Sequence, residues 1–540
     1  MLFNSYSFIF GFLPAVLAGF YLLGARNREW ALLWLTAASL VFYAWWRPVN
    51  VLLIAPSILI NFALSRVLER TSEARPRLAR ITLLGGIAFN LCFLGYFKYL
   101  NFFAGSLNDA FGTHFVLTQL ILPLGISFIT FQKIAFLVDV QAGRVSRFSI
   151  RDYALFVLFF PQLIAGPIVH YREMMPQFRA LSCRYDPDNV AVGVTLFFFG
   201  LAKKLLLADP MSRLIAPLYG QAAAGVPQSM TEAWIAALGF TLQIYFDFSG
   251  YTDMALGLAR FFGIKLPPNF NSPLKAGSII DFWLRWHITL TRFLTAYLYN
   301  PMTLALTRRR MARGKAVYGG RNTTIPAFFS LLAMPTILTM FVSGIWHGAG
   351  YTYILWGVLH GLLLCVNHAW RLVRPRIWPN AAVYNRRMAP VGFVLTFVSV
   401  VFGMVLFRAP TASSAVMLWK GMTGAYGASL PQAVFSRLGA AGEWLNTIGV
   451  HPAWTSGSVL LEATVRIGVL LAIALAMPNT LEILAPYEPA LGVKPAKVRP
   501  LAVRALAWTP GRTWAIGLAG IALAGILSLG ELSEFLYWQF

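Results

Sequence analysis

LFVLFFPQLIAGPIV, residues 155–169, is apolar enough to be taken for a membrane span, yet arginines crowd both of its ends. Arg144, Arg147 and Arg151 precede it, and Arg172, Arg179 and Arg184 follow. A crossing helix would place one of these clusters on the far side of the bilayer, against the preference of Lys and Arg for the cytoplasmic face. Pro161, Gly166 and Pro167 interrupt helix geometry, and the prolines remove backbone donors. The segment is therefore expected to enter and leave on the cytoplasmic side, as a re-entrant element.

That reading orders the charge of the whole chain. The protein has 540 residues, 58% hydrophobic and only 12% charged, too little polar surface for a soluble protein of this size. Spans need about 20 apolar residues each, and twelve are predicted: 6–23, 30–46, 51–68, 81–99, 117–138, 190–207, 233–254, 325–345, 351–371, 389–406, 464–477 and 514–529. The first lacks a basic leader and an A-x-A-like cleavage site and reads as a retained helix. With the N-terminus outside, the inward loops 24–29, 69–80, 139–189, 260–324, 371–388 and 478–513 hold 33 Lys and Arg, the outward loops only five. The net charge of +24 thus follows the positive-inside pattern rather than marking a nucleic-acid surface. Both termini are expected outside.

The predicted fold is an all-α, multi-pass membrane protein, a single transmembrane domain over residues 1–540 with an outward loop at 409–463 and a cytoplasmic loop at 478–512. Cys92, Cys183 and Cys365 show no paired spacing, so neither a disulfide framework nor a metal site is expected. No internal repeat or low-complexity tract is visible.

Polar residues at membrane depth cost several kcal/mol unless they face a cavity or a partner, and here they gather in three stretches. LQIYFDFSGYTDMALG (242–257) carries Asp247 and Asp253; DFWLRWHITLTRF (281–293) carries Asp281, Arg285, His287 and Arg292; SGIWHGAGYTYILWGVLHG (343–361) carries His347 and His360. The second stretch, like 155–169, is too polar for a lipid-facing span and is expected to be re-entrant or interfacial. Read as one helix, it puts Asp281, Arg285 and Arg292 on one face and turns His287 away by about 200° at 100° per residue.

A histidine in an aromatic helix is most often a packing residue, and His114, His360 and His368 are read that way. His347 differs because Gly348 and Gly350 follow it, leaving room for close backbone approach by another chain or a ligand. Trp346 and Gly348 are accordingly candidate substrate contacts. Asp247 and Asp253 are equally compatible with structural pairing and with substrate binding. Lys203 and Lys204 read as snorkelling cations.

PQLIAGPIVHYREMMPQF (161–178), LQIYFDFSGYTDMALGL (242–258), NFNSPLKAGSIIDFWLRWHITLTRFL (269–294) and GIWHGAGYTYILWGVLHG (344–361) together resemble the membrane-bound O-acyltransferase family, specifically its bacterial alginate O-acetyltransferase-like branch. Teichoic-acid D-alanyl transferases are more distant relatives. The resemblance covers most of the chain. It implies a multi-helix ring around a central pore, with an acyl donor entering from the cytoplasm and an acceptor from the other face. It also implies that His347, in W-H-G, is catalytic and that His287, in F-W-x-R-W-H, is its companion. The chain departs from the alginate branch at Thr295 and Ala296, where an Arg-Asp pair usually stands, so alginate itself does not follow as the acceptor.

The chemistry leads the same way. Moving acetyl from a thioester to a sugar hydroxyl needs a base, and neutral imidazole is matched to pH 7. Charge developing on the thioester carbonyl needs donors, which His287 or a tryptophan indole would supply. No nucleophile elbow or accompanying cysteine demands a covalent intermediate; direct transfer is simpler, and an acyl-enzyme stays open. Acetyl-CoA is the expected donor substrate, with Arg285 and Arg292 as phosphate contacts, and no P-loop or dinucleotide fingerprint points to a further cofactor. Family analogy adds a periplasmic SGNH-type acetyltransferase partner and an extracytoplasmic polysaccharide, in the bacterial inner membrane. The competing classes are a secondary transporter, which also uses broken helices and midplane charges, and a non-catalytic scaffold of an envelope polysaccharide machine.

Overall fold

A bilayer offers no partner to a free N–H or C=O, so long apolar runs satisfy their backbone internally by forming helices. In a computed structural model that describes all residues except 116–120, 320–322, 453–456, 495–502, 504, 531–535 and 537–540, nine helices among the described residues are long and apolar enough to cross. They are Ser7–Gly24, Val49–Thr71, Pro76–Phe111, Pro187–Ala223, Ile325–His347, Tyr351–Ile377, Ala381–Arg408, Ser458–Ala476 and Arg512–Gly530, each overlapping a predicted span. The other three of the twelve predicted spans differ in kind. Arg28–Ala44 has only 17 residues. Residues 117–138 begin outside the described part and are helical only from Ile126, after Pro123 and a left-handed Gly125 with φ 66°. Met230–Phe261 has 32 residues, but Glu232, Asp247, Asp253 and Arg260 dilute its apolar character.

The chain forms two compact units. The first comprises Met1–Ala202, Gly250–Asn269 and Thr480–Leu532, the second Lys203–Ser249, Phe270–Asn479 and Ser533–Phe540.

In the first unit, the 155–169 segment is broken as its prolines require. Ser149 caps helix Ile150–Leu158 by accepting from Asp152 N, and the helix stops at Phe159, whose ψ is 107°. A single turn, Phe160–Leu163, and a non-helical stretch lead to helix Tyr171–Arg179. Freed polar groups find partners: Phe160 N donates to Ser39 Oγ at 3.2 Å, and Gln162 Nε2 to the Phe156 carbonyl at 2.7 Å. The two ends then meet. Arg179 Nη2 lies 2.9 Å from Asp152 Oδ2 and 3.2 Å from the Arg147 carbonyl, so the excursion returns to the side it left.

Loops assigned to the basic side by charge touch one another in this unit. Arg147 N donates to Glu69 Oε1 at 3.0 Å, the Arg28 guanidinium donates to the Arg179 carbonyl, Gln177 Nε2 donates to the Lys265 carbonyl at 3.0 Å, and Lys265 Nζ pairs with Glu488 at 2.9 Å. Hydrogen bonding and charge from Lys265 hold the Glu488 carboxyl below the usual carboxylate range. Glycines at helical spacing let helix Pro187–Ala202 approach the second half of Met230–Phe261 closely: a Cβ on Gly257 would meet the Gly193 carbonyl at 2.5 Å, and one on Gly200 the Gly250 carbonyl at 2.4 Å.

In the second unit the expected outward segments also meet. Met230 N donates to the Gly427 carbonyl at 2.8 Å, Ser229 Oγ and Ser429 Oγ are 2.6 Å apart, and Trp234 Nε1 donates to the Met422 carbonyl at 3.0 Å. Strands Ala428–Leu430 and Val450–Pro452 pair in parallel within the 409–463 loop that charge counting places outward. Helices Met334–His347 and Tyr351–Ile377 cross through glycine. A Cβ on Gly344 would lie 2.3 Å from the Tyr353 carbonyl, and one on Gly357 2.3 Å from the Met340 carbonyl. Small residues at such crossings let the backbones pack directly.

Candidate active site

His347 is the last residue of its helix, and only 3% of it is exposed. The glycine crossing carries Trp356 of the neighbouring helix against it, with ring centroids 5.2 Å apart and planes at 89°. Trp346 and Phe407 close the surround at 4.9 and 5.2 Å. Gly348 has an extended φ of −162° that any residue adopts. Its need for glycine is steric: a Cβ there would lie 2.1 Å from the Tyr353 ring. What approaches the Gly348 backbone is therefore Tyr353 of the same chain, where another chain or a ligand was expected; a Cβ on Gly350 would make only ordinary contact with Tyr353, at 3.5 Å.

His287 enters from a different element. The 279–299 segment is not one helix: Ile279–Arg285 ends, Ile288–Leu294 begins, and His287 sits between them with φ 44° and ψ 52°. A left-handed conformation at a non-glycine costs of order 1–3 kcal/mol and clusters at functional sites. The Arg285 carbonyl, which a continuing helix would use, accepts instead from Asn271 N at 3.0 Å. This break turns a fully buried imidazole toward His347, at 6.1 Å between ring centroids. Phe248 packs edge-on to it at 4.8 Å, and Trp346 lies 5.9 Å away. Two buried imidazoles within an aromatic shell can take up and return a proton with bulk water held back.

The break also corrects the shared arginine face. Arg285 Nε donates to Asp281 Oδ1 at 2.8 Å, an i,i+4 pair, but Arg292 lies beyond His287 on the next helix, so no continuous face joins the two arginines. Both remain partly exposed.

Asp247 is paired within the protein. Lys204 is 3% exposed, correcting the snorkelling reading, and its Nζ lies 2.7 Å from Asp247 and 2.8 Å from Asp209. Leu536 N donates to the other Asp247 oxygen at 3.3 Å. Asp253 belongs to the first unit, where Thr480 Oγ1 donates to it at 2.8 Å. Neither aspartate is brought to the histidine pair by any of these contacts.

A family model described as MBOAT, membrane-bound O-acyltransferase family, matches residues 90–318. The chain is 39% identical over 459 residues to the peptidoglycan O-acetyltransferase of Helicobacter pylori, covering 80% of this chain and 81% of that one. It is 39% identical over 429 residues to the probable alginate O-acetylase AlgI of Pseudomonas aeruginosa, covering 78% and 75%. A teichoic acid D-alanyltransferase of Streptococcus thermophilus is 28% identical over 295 residues, covering 53% and 68%. The chain belongs to the membrane-bound O-acyltransferase family.

In this O-acyltransferase, a multi-pass membrane protein, His287 lies inside the span of the family model and His347 beyond it. Sequence reasoning singled out both histidines but missed Phe248, Trp356 and Phe407, which enclose them. Trp356 stood in the quoted 343–361 stretch as one more apolar residue. Phe248 and Phe407 gave no signal, because their role depends on which helices meet.

Proposed function

We propose that the protein transfers acetyl groups from cytoplasmic acetyl-CoA to hydroxyls of an extracytoplasmic polysaccharide, with His347 as general base. The acceptor O–H proton passes to the His347 imidazole, the oxygen attacks the thioester carbonyl, the C–S bond breaks, and the departing thiolate takes that proton back from the His347 imidazolium, which regenerates the base. His287 or the Trp346 indole donates to the oxygen on which negative charge develops. The observation that carries this reading is the meeting of two buried imidazoles from separate segments, 6.1 Å apart, inside an aromatic enclosure. It is supported by relatives named for O-acetylation of peptidoglycan and alginate. The bacterial inner membrane is the proposed location, and a periplasmic SGNH-type protein the proposed relay where acetyl does not go directly to sugar. No further cofactor is invoked.

Replacing His347 with Gln, which keeps hydrogen bonding but accepts no proton at neutral pH, should lower acetyl transfer about 10²–10⁴-fold. Insertion and thermal stability should stay near wild type. Free CoA released from acetyl-CoA by purified protein is the measurement. Wild-type turnover in the Gln variant would remove His347 as base, and a wild-type protein that releases no CoA would favour the transporter or scaffold readings.

A further inference from the structure

His360, in the W-G-x-x-H-G sequence, is a further buried histidine, with no exposed surface. Among the described residues, neither of its ring nitrogens has a hydrogen-bond partner, nor do the indole nitrogens of Trp283 and Trp356. These three side chains form one cluster: Trp283 and His360 are 5.3 Å apart by ring centroid, Trp356 and His360 5.0 Å, and Trp283 and Trp356 5.7 Å. Gly403 closes the fourth side, its backbone packed so near the ring that a Cβ there would meet His360 Nε2 at 2.6 Å. A buried polar atom left without a partner costs about 1–3 kcal/mol, so three neighbouring side chains in that state mark a place where something hydrogen-bonds. A residue that merely packed would be better served by phenylalanine.

The chemistry of the ligand follows from the groups present. A neutral imidazole offers one donor and one acceptor, and each indole one donor. Two of these donors and the one acceptor match an amide, whose carbonyl has two lone pairs and whose N–H needs one acceptor, and the third donor is left for another oxygen of the same ligand. No Lys or Arg is among the three side chains, which argues against a phosphate or carboxylate. The position adds direction. Trp356 also touches His347, and His360 lies one helical turn, about 5.4 Å, further along the same helix. That helix runs from Tyr351 toward Arg371, Arg374 and Arg376, the basic side from which a thioester donor is expected. In a cysteamine thioester the first amide follows the sulfur by two carbons, a comparable reach from the reacting carbonyl.

We propose that His360, with the indole N–H groups of Trp283 and Trp356, binds an amide of the donor's thioester arm and so places the acetyl group beside His347. This rests on the thioester-donor reading above. The two are separable with purified full-length protein, acetyl-CoA and S-acetyl-N-acetylcysteamine, following thiol release. His360→Phe, which keeps the ring, should raise the KM for both donors about tenfold, the worth of one hydrogen bond, with kcat within a few-fold of wild type. His360→Gln should bring KM most of the way back. Where the Phe variant does not fold, Trp283→Phe decides, with a smaller rise in donor KM expected. An unchanged donor KM in the variant that decides overturns the proposal. So does a rise in acceptor KM instead, or an equal loss of kcat in the Phe and Gln variants. A wild-type protein inactive on both thioesters would instead overturn the donor reading itself.

Discussion

The side chain that departs furthest from its sequence reading is Lys204. Beside Lys203 at a helix end it looks like a cation reaching for the surface, and nothing local distinguishes the two. The distinction is tertiary: Lys204 is in a π-helical turn, Lys203–Ala208, and meets Asp209 and Asp247 at 2.8 and 2.7 Å. Two carboxylates around one ammonium are tolerable only while the ammonium is there. Lys204→Met should strand both and destabilise the fold by roughly 3–5 kcal/mol, as broken buried ion pairs do. Asp247→Asn in that background should restore part of the loss. Thermal unfolding in detergent measures both, and a Lys204→Met protein as stable as wild type would return the lysine to the surface. The burial of His347 is by contrast partly local, because its sequence neighbour Trp346 also packs against it in space, at 4.9 Å between ring centroids.

Among elements, the legible ones carry their own instructions. The 155–169 segment announces its breaks with Pro161, Gly166 and Pro167: the helix stops at Phe159, Pro161 opens a single new turn, and the chain is non-helical at Gly166 and Pro167. The break at His287 has no such signal, since FWLRWHITL reads as a continuous helix. The interruption comes from Asn271, whose N–H takes the Arg285 carbonyl, and a partner 14 residues away cannot be inferred from helical spacing. The crossing of Met334–His347 with Tyr351–Ile377 lies between these cases, its glycines visible but their direction not. Gly357→Ala would press a methyl group onto the Met340 carbonyl, 2.3 Å from the ideal Cβ position, and part the helices that hold His347 against Trp356. A loss of about 1–3 kcal/mol is expected from such overpacking, with a fall in acetyl transfer. Gly468→Ala, where a Cβ would meet nothing within 4 Å, should instead be neutral or gain up to about 1 kcal/mol from helix propensity. Equal stability in the two variants would mean that the crossing tolerates separation.

For the whole molecule, the charge pattern and the loop contacts are independent observations that agree. Positive-inside counting knows nothing of which loops touch, yet Arg28 reaches Arg179, Arg147 reaches Glu69, Gln177 reaches Lys265 and Lys265 reaches Glu488. Every one of these pairs joins loops that the count placed on the basic side. Hydrogen-bonded residues cannot lie across a bilayer whose hydrocarbon core is about 30 Å thick, so a wrong assignment for any one loop would have to be wrong for its partners as well. The span count was less legible than the sidedness, because Met230–Phe261 and the helix from Ile126 are buried by protein and no longer need the hydropathy of a lipid-facing segment. Single cysteines at positions 147, 179 and 265, introduced with Cys92, Cys183 and Cys365 replaced, should all react with a membrane-impermeant maleimide only after the cytoplasmic side is opened. A cysteine at position 437, in the loop counted as outward, should react from outside intact cells. Labelling of 179 from outside with 147 protected would contradict both the re-entrant course of 155–169 and the Arg179 to Arg147 hydrogen bond.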